Sequence, residues 1–144
     1  MKKIIFTLLL FASIAARSQD NPLTVIANNT GAPAGLSYAE LQNIFMGKQP
    51  KWSNSGKVLI AMMKLTTDAG KNTCSKLYRM TTDQVTKHWL TVSMKGTMDA
   101  PVFFNTAAEL QSFVSANAGA IGIMSGAASA PNTKTVLIDG KRTF

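Results

Sequence analysis

Apolar and polar positions along the chain fall into short blocks of two kinds. "PLTVIANN" (Pro22 to Asn29) and "KVLIAMMKL" (Lys57 to Leu65) are nearly continuous apolar runs rich in β-branched and long aliphatic residues. Runs of that length without alternation predict strands buried on both faces. "AIGIM" (Ala120 to Met124) and "TKTVLID" (Thr133 to Asp139) predict two further strands, and "APVFFN" (Ala100 to Asn105) a brief extended piece.

Between these runs the period changes to that of a helix. Ser37 with Glu40 forms a capping box, Leu36 and Leu41 a hydrophobic staple, and Leu41, Ile44 and Phe45 a stripe that Gly47 can end. Asp68 to about Met80 predicts a second helix, with Cys74, Leu77 and Tyr78 on one face. Thr81 with Gln84 opens a third, whose stripe is Val85, His88, Trp89 and Val92 and whose stop is Gly96. Thr106 with Glu109 opens a fourth, with Leu110, Phe113 and Val114 buried and Gly119 at its end. The order β-α-β-α-α-β-α-β-β is that of a layered α/β domain.

The N-terminus departs from both patterns. "MKKIIFTLLLFASIAARSQD" joins a basic start to an apolar run too short for a comfortable bilayer span, and small residues follow at Ala16 and Ser18. This predicts a signal peptide over residues 1–18, one domain over 20–144, and a periplasmic or secreted protein with no membrane span once the leader is removed. Loss of Lys2, Lys3 and Arg17 removes three positive charges and lowers the net charge from +8 to +5. Such a bias suits an anionic ligand or an acidic surface. No basic stripe interleaved with aromatics is present, so nucleic acid is not an expected partner.

Cys74 is the only cysteine, so no internal disulfide is expected and stability rests on the core. A domain of this size buries roughly two-thirds of its extended-chain surface, enough to supply one. His88 is the only histidine, which excludes a multi-histidine metal site; its place beside Val85 and Trp89 predicts a packed, hydrogen-bonded ring. The eight methionines lack the M-x-x-M look of a copper site. Seven acidic residues with no close functional pair, and no orienting group for a Cys-His nucleophile, argue against an enzyme; no cofactor is expected.

"LTTDAGKNTCSKLY" (Leu65 to Tyr78) carries the candidate chemistry. It is not a nucleotide P-loop, because Leu65 stands where that motif needs its first glycine and Asn72 where it needs Ser or Thr. A strand, a hydroxyl-rich turn and a helix start nevertheless make a geometry in which free N–H groups and the helix dipole face an anion. The predicted ligand-binding residues are Thr66, Thr67, Asp68, Gly70, Lys71, Asn72 and Thr73. The threonines would give hydroxyls and Lys71 charge, while Asp68 would cap the helix or accept a proton from a protonated oxyanion. A cap that binds nothing is the competing reading.

Three stretches together resemble one family. "LSYAELQNIFMGKQPKW", "HWLTVSMKG" and "NAGAIGIMSG" are similar, in order and spacing, to segments of the phosphate-type periplasmic substrate-binding proteins. The resemblance runs from about Leu23 to Ala127. It implies a type 2 periplasmic-binding-protein-like domain in a short form: a single three-layer lobe with a mixed sheet flanked by helices. In the family, two such lobes form an exported clamshell that delivers phosphate or a related oxyanion to an ABC transporter. The family's Arg-Ser-Asp-x-Ser-Gly-Thr-type phosphate signature corresponds here to "KLTTDAGKNT", which keeps Asp68 and Gly70. The Ser-Gly-Thr order is lost, Lys64 or Lys71 must replace the arginine, and Ile123 stands where the family has tyrosine.

Two functions follow from different classes. One is a transport-type module that binds phosphate or another small oxyanion weakly, tight binding needing a second lobe from a homodimer mate or another protein. The other is a ligand-free interaction module of the same fold that docks onto an envelope protein.

Overall fold

A computed structural model of the protein describes residues 21–144. The leader expected over residues 1–18 lies outside the described residues.

The main sheet has five strands in the order β4-β3-β5-β1-β6. Strand β1 (Leu23–Asn28) runs antiparallel to both β5 (Ala120–Ser125) and β6 (Thr133–Thr135). Strand β3 (Leu59–Met63) runs parallel to β5 and to the edge strand β4 (Val102–Phe104). All six residues of β1 are buried, which is why its sequence is apolar without alternation.

The register assigns the two faces. Ala61 pairs with Gly122 and Met62 with Ile123. On the Ala61 and Gly122 face lies helix α4 (Ala107–Ala116); a Cβ built on Gly122 would come within 2.8 Å of Leu110 Cδ2, so glycine is what lets this helix approach. On the Met62 face, the Tyr78 hydroxyl lies 3.5 Å from Met62 Sδ, within the layer that follows helix α2 (Asp68–Thr73). The domain therefore has three layers, helix on sheet on helix, as the resemblance implies.

Helix α1 (Tyr38–Phe45) has both halves of its capping box: Ser37 Oγ accepts from Glu40 N–H at 3.1 Å, and Glu40 Oε2 accepts from Ser37 N–H at 2.7 Å. Helix α3 (Thr82–Lys95) repeats this with Thr81 and Gln84 and ends at Gly96, φ 68°. Helix α4 differs from expectation. Thr106 Oγ1 accepts from Glu109 N–H, but Glu109 reaches past the cap to Asn105 N–H at 3.3 Å.

Two elements correct the predicted boundaries. The helix expected to run unbroken from Asp68 to Met80 is α2 followed by a π-helical turn over Cys74–Tyr78, and it stops at Arg79 in left-handed conformation. The strand expected over Thr133 to Asp139 divides at buried Val136. Its first half is β6, and its second half, β7 (Leu137–Ile138), leaves the main sheet to pair in parallel with β2 (Gly35–Leu36). Two-residue strands carry no readable period, so β2 had no sequence signal. Among the described residues no helix is long and apolar enough to cross a membrane.

Candidate functional site

The chain leaves β3 at Met63 and turns at once into α2. Thr67 holds the turn: its N–H and its hydroxyl both donate to Lys64 O, at 2.9 and 2.6 Å, while Oγ1 accepts from Gly70 N–H at 3.0 Å. Thr67 is extended (φ −80°, ψ 158°) and is the N-cap. The expected cap, Asp68, is instead the first helical residue. Its exposed carboxylate lies in the first turn, where the helix dipole favours it. The N–H groups of Asp68 and Ala69 find no acceptor among the described residues, as the geometry of a helix start requires.

Those groups border an open depression of about 470 Å³ at the carboxyl ends of three neighbouring strands. Met63 ends β3, Asn105 follows β4, Ser125 ends β5 and Gly126 follows it. Thr67, Asp68 and Ala69 form the helical wall, and Asn21 and Pro22 the rim opposite. Open α/β sheets gather ligands at the carboxyl ends of their strands, because chain reversals there leave a crevice lined by helix starts.

The structure separates the predicted site residues. Thr67 and Asp68 line the depression. Thr66 faces a different hollow, beside Trp89 and Phe103. Gly70 is buried against the turn, where a Cβ would lie 2.1 Å from Lys64 O. Lys71 is exposed and Asn72 half-buried, and neither lines the depression. Thr73 is buried and its hydroxyl donates to Ala69 O at 2.8 Å, so it has no hydrogen to offer a ligand. Ala69 was passed over because it has no polar side chain, and Asn105, Ser125 and Gly126 were missed because only the strand order brings them to this turn.

Among the described residues, no cationic side chain lines the depression. Arg142 lies in an adjoining hollow of about 280 Å³ that shares Pro22 and Gly126 with the depression. The segment carrying Arg142 is fixed by a pair of bonds, Leu23 N–H to Phe144 O at 2.9 Å and Phe144 N–H to Leu23 O at 3.0 Å. Lys76 Nζ donates to Asn21 O, at 3.2 Å, on the depression's rim.

The two reactive-looking residues belong to the packing. Cys74 is buried, and burial pushes its thiol up from 9.0 to about 11, away from thiolate chemistry. His88 is half-buried with Nε2 2.9 Å from Met46 O, the hydrogen-bonded ring expected. Among the described residues no three His, Cys, Asp or Glu side chains group as a metal site.

Comparison with protein-family models and with curated proteins finds no match. Solved structures do match. An ABC-type phosphate transport receptor from Vibrio cholerae superposes with a TM-score of 0.65 at 14% identity over 85% of this chain and 48% of its own. A putative phosphate ABC transporter substrate-binding protein with bound phosphate, from Clostridium perfringens, gives 0.62 at 14% identity over 83% and 46%. PstS from Borrelia burgdorferi gives 0.64 at 10% identity over 83% and 48%. The chain thus spans about half the length of these receptors. It shares with them the fold of one lobe, a mixed sheet between two layers of helices.

Proposed function

We propose that this chain is an exported oxyanion-binding module that holds phosphate or a related anion in the depression between α2 and the ends of β3, β4 and β5. The observation that carries the reading is the placement of two unpartnered N–H groups, Asp68 and Ala69, at the crevice of a fold shared with phosphate receptors. Donors of this kind suit an anion without any side-chain charge. Asp68 can accept the hydrogen of a monoprotonated phosphate, which a sulfate lacks. Arg142 supplies the charge that Lys71 was expected to supply. The same likeness supports association with an ABC transporter.

A lone lobe leaves the anion wet on one side, where water competes for every hydrogen bond. Binding in roughly the millimolar range is expected, worth about 4 kcal/mol. A second copy or another protein would have to close the site for tighter binding.

One observation favours the alternative, an envelope docking module that binds no anion: among the described residues, the only charge lining the depression is the Asp68 carboxylate. Calorimetric titration with phosphate and sulfate separates the two. The transport-type reading expects weak heat from phosphate, less from sulfate, and a loss in Arg142→Gln but not in Lys71→Ala. No heat from either anion leaves the docking module as the better reading.

A further inference from the structure

We propose a second anion site, independent of the depression at α2, on the outer side of α3, for a small compound carrying two or more phosphate charges. The site is an open hollow of about 450 Å³ bordered by Arg79, Gln84, Lys87, His88 and Thr91. That volume lies within the usual range of small-molecule sites, roughly 300–1,000 Å³. Gln84, Lys87, His88 and Thr91 occupy one side of α3 at helical spacing, and Arg79 reaches it from the end of the π-helical turn.

Three features set this hollow apart from an ordinary basic surface. First, Arg79 holds a left-handed conformation, φ 53° and ψ 40°, as the residue that ends a helical segment. Glycine or asparagine fills such positions when only the turn matters, because a Cβ is strained there. An arginine kept in that conformation points to a use for its side chain. Second, the two cations are uncompensated. No carboxylate borders the hollow, and neither Arg79 nor Lys87 has an ion-pair partner among the described residues. Third, the His88 ring has one nitrogen committed. Met46 O can only accept, so Nε2 carries the hydrogen, and Nδ1 keeps its lone pair. Nδ1 can accept from the P–OH of a protonated phosphate.

Charge favours a phosphate-bearing ligand over a neutral one. Arg79 gives a planar, bidentate donor and Lys87 a point charge, while the Gln84 amide adds a neutral donor. The two cations and the hollow's size together suit a diphosphate better than a single tetrahedral ion.

His88 is the only histidine, so its ring nitrogens are an unambiguous reporter. The test is ¹⁵N NMR of the purified protein titrated with pyrophosphate, read at the His88 ring, for the parent and for Arg79→Asn/Lys87→Gln. Asparagine tolerates the left-handed turn and glutamine suits an exposed helix position, so the variant's melting temperature without ligand checks that it folds. The expected result is a saturable shift of Nδ1 in the parent, and an apparent affinity weakened roughly tenfold or more in the variant, as the loss of two charged contacts implies. The Asp68 and Ala69 amides should respond to phosphate alike in both proteins, which separates this site from the depression at α2. An Nδ1 signal unmoved by pyrophosphate in the parent, or moved with equal affinity in the folded variant, overturns the proposal.

Discussion

Gly70 and Lys64 meet across the turn between β3 and α2 so closely that a Cβ built on Gly70 would lie 2.1 Å from the Lys64 carbonyl oxygen. Lys64 O is also the acceptor for both donors of Thr67. Gly70 therefore contributes to the candidate site through packing, not through contact with a ligand. Gly70→Ala should destabilise the protein by about 1–3 kcal/mol, the usual cost of forcing atoms into a filled interior. Urea denaturation checks this: the midpoint should fall with little change in slope.

The same turn gives different weights to its two polar side chains. Thr67 is the cap, with three hydrogen bonds to Lys64 and Gly70, while Asp68 makes no cap bond. Thr67→Ala should cost about 1 kcal/mol, the typical value of an N-cap. Asp68→Asn removes only a favourable charge in the first turn and should cost about 0.3–1 kcal/mol at low salt, less at high salt. Thermal melts of both variants at two salt concentrations separate the contributions.

Behind α2, the Tyr78 hydroxyl donates to Phe45 O at 2.6 Å and accepts the Trp89 indole N–H at 2.9 Å. It ties α1, the π-helical turn and α3 together in a buried place. Tyr78→Phe leaves both an acceptor and a donor unsatisfied, each costing about 1–3 kcal/mol. A loss of about 2–6 kcal/mol is expected from the sum of the two, and Trp89 fluorescence should report the change.

Alkaline pH should weaken the fold. Burial raises the Cys74 thiol from 9.0 to about 11. Burial also raises the Tyr78 phenol well above the ordinary range, partly offset by the Trp89 hydrogen bond. Between these values the unfolded chain has released protons that the native state still holds, so stability falls as pH rises. Stability should be full below pH 9 and decline from there to about 11, with Tyr78 prolonging the decline. Cys74→Ala should flatten the first part of that slope. The native thiol should also react slowly with alkylating reagents and fast in denaturant.

The strands were legible because β1, β3 and β5 are buried on both faces and so appear as unbroken apolar runs. The helix starts were legible because Ser37, Thr81 and Thr106 advertise their caps. The candidate site was legible only in part. Thr67 and Asp68 follow a strand directly, but Asn105, Ser125 and Gly126 are remote in sequence and join them through the order β4-β3-β5. Thr73 was misassigned because its residue type suggests a donor, while its spacing from Ala69 and Leu77 places it on the buried stripe of the helical segment. Lys71 was favoured for its charge, yet charge near a loop in sequence does not decide which way a helix turns it. Arg142 gave no signal, since the pairing of Phe144 with Leu23 is what brings it near the depression.

The proposed oxyanion sits on the N–H groups of Asp68 and Ala69. Amide ¹H–¹⁵N NMR with inorganic phosphate tests this placement most directly. Bound phosphate should shift the Asp68 and Ala69 amides saturably in the millimolar range, accompanied by Ser125 and Gly126 across the depression and weakened in Arg142→Gln. Amides of Asp68 and Ala69 that stay unmoved by phosphate far beyond that range would contradict it.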